Sequence, residues 1–247
     1  GFAITPFLAD LLNRYQEDFV ATEGSPFWTT HTWVAGERLT QKALASTLAD
    51  IATAGPDAFY QGVHAERLMA WSEGWFAPED LGTYRAIWRN PLEGHYRGQK
   101  VFTMPPPSSG GVALLQLLQA SEKWLVGQAW DAQNMHLFAE MAQVAYQDRA
   151  YYLGDPAYME VPAEALVDSS YVATRFGQMD VDRHQTLPWE ETHERLESHE
   201  TTHYSILDSD GNAIAVTTTL NGLFGSGQWV DGFFMNNEMD DFATQPG

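Results

Sequence analysis

Apolar positions in this chain follow two periods, and the change from one to the other falls near residue 201. Phe7, Leu8, Leu11, Leu12, Tyr15 and Phe19 recur at the three-to-four spacing of a helix face, which predicts a helix over 7–19. Residues 23–39 are rich in Gly, Thr, Pro and Trp and predict an irregular loop. Thr40 is placed to cap a helix through Leu44, Leu48 and Ile51, and Gly55-Pro56 ends it. Short helices are expected over 64–71 and 78–84, then a strand over 96–103 that Gly98 interrupts. The run 104–111, three prolines followed by Ser108, Ser109, Gly110 and Gly111, leads into an apolar helix over 112–125. Small residues before a helix can present backbone N–H groups to an anion, although a rigid proline turn with close-packing glycines explains them as well. A second long helix, 134–153, sets Phe138, Met141 and Ala145 on one face and stops at Gly154-Asp155-Pro156.

From residue 203 onward the period becomes two. Tyr204, Ile206 and Asp208 fall on one face, Asp210-Gly211 is a hairpin signal, and 213–220 reads as the returning strand. A third short strand is expected over 233–235. Between helices and strands, residues 178–200 form a polar connector, with five Glu and three His between Arg183 and Glu200. The pattern predicts an α+β chain, helical over its first two-thirds and then antiparallel strands. It divides into a mainly helical portion over 1–200 and a hairpin-bearing portion over 201–247.

Composition narrows the partners more than the fold. With 247 residues, 44% of them hydrophobic, the chain can bury a substantial core. Acidic residues outnumber basic ones 33 to 13, and only Lys42, Lys100 and Lys123 are lysines. A net charge of −20 argues against nucleic acid or an anionic membrane as partner, since both require clustered cations. No apolar run approaches the roughly 18 residues of a membrane span, and the N-terminus lacks the basic and apolar regions of a signal peptide. The absence of cysteine excludes disulfides, thiolate metal sites and cysteine nucleophiles. The histidines show no ligand spacing, so neither a metal site nor another cofactor is expected.

The candidate chemistry lies where the period changes. Thr201 and Thr202 open the strand, and paired threonines there ordinarily reflect β propensity alone. His203 is read as a packed or surface histidine rather than a base, its immediate strand neighbours pointing to the opposite face. A threonine needs no histidine if the chain is cut just before it, because the freed α-amino group, with a pKa near ~8, serves as base for its own hydroxyl. The polar segment upstream suits such a cut. Thr217, Thr218 or Thr219 on the partner strand could hold the nucleophile's oxygen, and Asn221, Glu238 and Asp241 could bind an amino-acid-like substrate.

Residues 201–221 (Thr-Thr-His-Tyr-Ser-Ile-Leu-Asp-Ser-Asp-Gly-Asn-Ala-Ile-Ala-Val-Thr-Thr-Thr-Leu-Asn) closely resemble the start of the small subunit of γ-glutamyltranspeptidases. Residues 236–242 (Asn-Asn-Glu-Met-Asp-Asp-Phe), 104–111 and the Asp148-Arg149 to Pro156 stretch resemble the same family, in the same order. The resemblance implies an N-terminal-nucleophile hydrolase fold, an αββα sandwich incomplete over these residues. It implies a zymogen that cleaves itself between Glu200 and Thr201 to give two subunits. Thr201 would then attack the γ-glutamyl carbonyl of glutathione or a related compound, supported by Thr219. Asn221, Glu238 and Asp241 would hold the glutamyl carboxylate and ammonium groups. Water or an acceptor amino acid or peptide would resolve the acyl-enzyme.

The same resemblance places an arginine upstream, and serine and glycine pairs downstream, outside these 247 residues. The expectation is therefore a piece that is uncleaved and inactive by itself. The loop 222–232 is shorter than is usual in the family. Related alternatives are a glutaryl-β-lactam (cephalosporin) acylase or a poly-γ-glutamate-processing enzyme, and a non-catalytic domain is a third. Glu238 and Asp241 favour a substrate with an α-amino group. Family members lead one to expect a periplasmic or secreted protein.

Overall fold

Three of the helices start at a residue whose side chain caps the first turn. The computed structural model describes residues 1–125, 131–180, 182–184 and 201–241. Strand β1 (Phe2–Ala3) leads to helix α1 (Pro6–Arg14). The Thr5 hydroxyl oxygen accepts the Leu8 N–H at 3.1 Å, and Pro6 occupies the first helical position, where its missing N–H costs nothing. The expected helix over 7–19 is shorter, because Tyr15 departs from helical dihedrals (φ −95°, ψ 10°) and a 3-10 turn, Gln16–Asp18, carries the chain to Phe19. Strand β2 (Arg38–Leu39) pairs antiparallel with β1.

Helices α2 (Lys42–Ala54), α3 (Asp57–Tyr60), α4 (Val63–Trp71) and α5 (Pro78–Thr83) follow. The expected cap of α2 at Thr40 is not formed: Gln41 occupies the capping position, without a side-chain bond. Nor is Leu44-Leu48-Ile51 its packed face, since Leu48 is 56% exposed and Thr47 is the buried residue.

Residues Ile87–Glu194 form a compact unit of their own. Here Gly98 does not interrupt one strand. It is the second residue of a two-residue turn joining β3 (Leu92–Tyr96) to β4 (Gln99–Thr103). Arg97 and Gly98 both have positive φ (49° and 75°), which matches the right-handed strand twist. Helix α6 (Gly110–Trp124) lays Leu115 against Gly94 of β3, where a Cβ would come within 2.6 Å of the leucine methyl. Helix α7 (Ala132–Tyr152) is capped by Asp131, whose carboxylate accepts the Asn134 N–H at 2.8 Å. Its buried face carries Leu137, Met141, Val144 and Ala145, while Phe138 is 39% exposed rather than inward.

Helices α8 (Ala163–Leu166) and α9 (Ser169–Phe176) complete this unit. At its centre the buried Asp148 accepts bonds from Gln116 (2.9 Å), the Tyr171 hydroxyl (3.0 Å) and Arg175 (2.9 Å). Burial, and then the neighbouring Asp148 carboxylate, push the Tyr171 phenol up to about 12. Two of the sequence motifs meet in this unit, where Arg149 Nε donates to Ser109 Oγ at 2.9 Å.

The other unit comprises Gly1–Ala86 together with Arg195–Pro246. Its C-terminal part contributes β5 (Thr202–Leu207), β6 (Ala213–Thr218), β7 (Trp229–Val230), β8 (Phe233–Phe234) and a closing 3-10 turn, Glu238–Asp241. Asp208, expected on the strand, lies in the turn instead. The core joins both parts of the chain: Ile4, Leu12, Phe19, Phe27 and Leu39 pack with Trp229, Phe224 and Phe234. Phe19 meets Phe224 edge to face at 4.9 Å and Phe234 at 5.3 Å. Each such side chain contributes about 2 kcal/mol by burial, and favourable ring pairs add roughly 1 kcal/mol more.

Candidate functional site

Strands β5 and β6 pair in antiparallel register from Thr202 opposite Thr218 to Leu207 opposite Ala213. Thr201 lies one residue ahead of β5 and Thr219 one residue after β6, at the same end of that ladder. Period-two alternation then sorts the hairpin into two faces. Tyr204, Ile206, Ile214 and Val216 share one; His203, Ser205 and Thr217 share the other. His203 confirms the polar face by its contacts: its Nδ1 lies 2.8 Å from Thr217 Oγ1 and its Nε2 lies 3.4 Å from Ser205 Oγ. Its immediate neighbours, Thr202 and Tyr204, fall on the opposite face. Thr201 itself is exposed.

Beyond β6 the chain turns sharply. Asn221 is buried in the left-handed region (φ 68°), a conformation that asparagine tolerates better than most side chains. Its backbone N–H donates to Thr219 Oγ1 at 2.9 Å. That bond occupies an acceptor lone pair of the Thr219 hydroxyl and leaves its O–H as a donor. The Asn221 side-chain amide in turn donates to the Asn237 carbonyl at 3.1 Å. Asn237 returns two bonds to the same turn: its Oδ1 accepts the Gly222 N–H at 2.8 Å, and its N–H donates to the Leu220 carbonyl at 3.1 Å. Glu238, half-buried, heads the 3-10 turn, and its N–H donates to Asn236 Oδ1 at 3.1 Å.

The structure therefore brings Thr219, Asn221 and the start of the Glu238 turn together through named bonds, with Thr201 just ahead of the strand that pairs with β6. Asp241 closes the same 3-10 turn by its backbone, while its side chain and all of Glu200 lie outside the described residues. So does most of the expected connector over 178–200. Sequence reasoning did not single out Asn237, the residue that ties the two segments together. The doubled asparagine before Glu238 was the available signal. Among the described residues no group of three or more His, Cys, Asp or Glu side chains is arranged to hold a metal ion. No helix among them is long and apolar enough to cross a membrane.

This arrangement can present a threonine hydroxyl beside a second hydroxyl that donates, with an amide and a carboxylate from one tightly bonded turn nearby. Comparison with known proteins gives it a setting. The family model described as gamma-glutamyltranspeptidase matches residues 1–247. The chain is 39% identical over 262 residues to the glutathione hydrolase proenzyme of Escherichia coli (strain K12), covering 100% of this chain and 45% of that protein. It is 42% identical over 260 residues to the glutathione hydrolase proenzyme of Pseudomonas aeruginosa, covering 100% of this chain and 46% of that protein. The chain thus spans just under half the length of these relatives. Among solved structures, the γ-glutamyltranspeptidase of Helicobacter pylori superposes with a TM-score of 0.71 at 33% identity, over 75% of this chain and 56% of that one. The α+β fold of the N-terminal-nucleophile hydrolase type, expected from the sequence, is the fold of this chain.

Proposed function

Because the chain belongs to the γ-glutamyltranspeptidase family, we propose that it carries the nucleophile and part of the donor pocket of an enzyme that transfers or hydrolyses γ-glutamyl groups. The observation that supports this reading is the β5–β6 register: continued one residue past Thr202 and Thr218 it puts Thr201 across from Thr219, whose hydroxyl accepts the Asn221 N–H. The precursor divides at Glu200–Thr201 by its own chemistry, into a portion over 1–200 and one that begins at Thr201. The new α-amino group of Thr201 accepts the proton of its own hydroxyl, and Oγ1 attacks the γ-carbonyl of the donor. Thr219 donates its O–H to Thr201 Oγ1 and steadies it. The tetrahedral intermediate collapses, the α-ammonium returns its proton to the departing amine, and a γ-glutamyl ester remains. Water or the amine of an acceptor amino acid or peptide then attacks that ester.

Glu238 and Asp241 supply negative charge for the donor's α-ammonium, and the Asn221 amide supplies a donor for its α-carboxylate. That division of charge is why a γ-glutamyl donor ranks above a glutaryl one, which has no ammonium to pair. The test is release of a chromogenic amine from a γ-glutamyl anilide by the intact protein, with mass spectrometry of the N-termini. Wild type should show a new N-terminus at Thr201. Thr201→Ala should remain uncut and lose at least about 10³-fold in turnover. Equal turnover in the two proteins removes Thr201 from the reaction.

A further inference from the structure

A second constellation, remote from Thr201 in sequence, uses none of the residues above. Strands β7 and β8 are joined by Asp231 and Gly232, both with positive φ (53° and 103°), a tight turn of the mirror-image type. The tip of this hairpin is pinned from three sides. The Asp231 carbonyl accepts the Thr47 hydroxyl of α2 at 2.7 Å. Its carboxylate, 6% exposed, takes Arg67 of α4 on Oδ1 at 2.7 Å and His64 of α4 on Oδ2. His64 is fully buried, and its other ring nitrogen lies 3.2 Å from Asp50 Oδ2. The Phe59 ring of α3 stacks on it at 6.2 Å. Gly232 sits so close to α2 that a Cβ would overlap the Leu44 backbone nitrogen.

Burying charged partners is a poor way to gain stability, since well-packed apolar residues do as well or better. What the three directed bonds add is orientation. An apolar tip can slide over a helix, whereas this one has a fixed height and a fixed rotation. Directly after the turn, β8 delivers Met235, Asn236, Asn237 and Glu238. Asn237 is the residue that bonds Leu220, Asn221 and Gly222. All of Thr47, Asp50, His64 and Arg67 precede Thr201, and Asp231 follows it.

We propose that Asp231, gripped by His64 and Arg67, is a positioning residue of the γ-glutamyl donor pocket, setting the strand that presents Asn237 and Glu238 from the portion before the cleavage point. The proposal rests on the function inferred above. Displacing a binding group by about an ångström can cost up to 10²-fold, so loosening this tip acts on donor binding before it acts on the nucleophile.

The experiment compares intact wild-type protein with Asp231→Asn, His64→Gln, the double variant and Arg67→Gln. Each is assayed for donor KM, acceptor KM and kcat with a γ-glutamyl anilide and a dipeptide acceptor, alongside its melting temperature. Donor KM should rise about tenfold in Asp231→Asn, with kcat and acceptor KM within about threefold of wild type. The double variant should be no worse than its worse single, because the two side chains act as one unit. Arg67 is half exposed, so Arg67→Gln keeps the fold and should raise donor KM about threefold. A lower melting temperature with unchanged donor KM overturns the proposal, as does a folded Arg67→Gln protein with wild-type donor KM. Should the wild type itself release no amine in a Thr201-dependent manner, the functional reading and this proposal fall together. Thr201-dependent release with unmoved KM values removes this proposal alone.

Discussion

The two hairpins that follow Thr201 each have an Asp-Gly pair in the turn, but different aspartates fasten them: Asp208, two residues before the pair's Asp210, in the first, and the pair's own Asp231 in the second. In the β5–β6 turn, Asp208 bonds its own loop: its carboxylate accepts the Asn212 N–H and side-chain amide, each at 2.8 Å, and the Asp210 N–H at 2.9 Å. Gly211 at that tip has nothing within 4 Å of a would-be Cβ, and every residue of β5 is exposed. In the β7–β8 turn, Asp231 bonds nothing of its own hairpin by its carboxylate and reaches to α4, while Gly232 touches α2. One turn closes itself and the other closes on its surroundings. A local signal therefore makes a hairpin but does not say where it goes; that is decided by what the tip can reach.

Substitution at the two glycines gives the largest expected contrast. Gly211→Ala places a Cβ in open space at φ 86°, so only left-handed strain is felt, about 1 kcal/mol. Gly232→Ala adds to similar strain an overlap with the Leu44 backbone, which cannot rotate away as a side chain could. A loss of about 3 kcal/mol is expected there. Urea unfolding of the two variants beside wild type measures both. Equal losses would break the comparison and show that the Gly232 tip is free to lift from α2.

The same contrast explains what the sequence could and could not disclose. The β5–β6 hairpin was legible because six-residue strands carry a period and Asp210-Gly211 sits between them. Thr201, Thr219, Asn221 and Glu238 stand out as candidates because they lie in two short, distinctive motifs. The β7–β8 hairpin was only half visible, as a strand over 233–235, since two-residue strands carry no period at all. Its anchor was hidden for a different reason: His64 and Asp231 are 167 residues apart, and neither has a chemical neighbour in sequence that hints at the other. The inner face of α2 was hidden for the same cause. An apolar stripe through Leu44 and Leu48 looked like the inner face of α2, but the element packed against it brings a carbonyl that needs a donor. His203, by contrast, was legible: read as a packed or surface histidine, it lies exposed on β5 beside Thr217.

The smallest expected effect concerns acid. The Asn212 side-chain amide, and after it the Asn212 N–H, hold the Asp208 carboxyl below the usual carboxylate value. A carboxyl held low in the folded chain favours folding while it is ionised. Its contribution is complete above the unfolded carboxylate pKa and is lost as pH falls through the lower, folded one. The exposed hairpin should therefore keep its turn as pH drops past the ordinary carboxylate range and release it only below that. Asp168, which caps α9, offers a control in the other unit: the Ser170 hydroxyl, then the Tyr171 and Ser170 N–H groups, hold its carboxyl low as well. Amide chemical shifts of Asn212 and Tyr171, followed by NMR from neutral pH downward, should move with midpoints under the usual carboxylate value. Asp208→Asn should flatten the Asn212 curve and leave the Tyr171 curve in place. An Asn212 amide that titrates at the ordinary carboxylate pH would show that the turn does not close on Asp208, and the distinction between a hairpin that holds itself and one that is held would lose its first half.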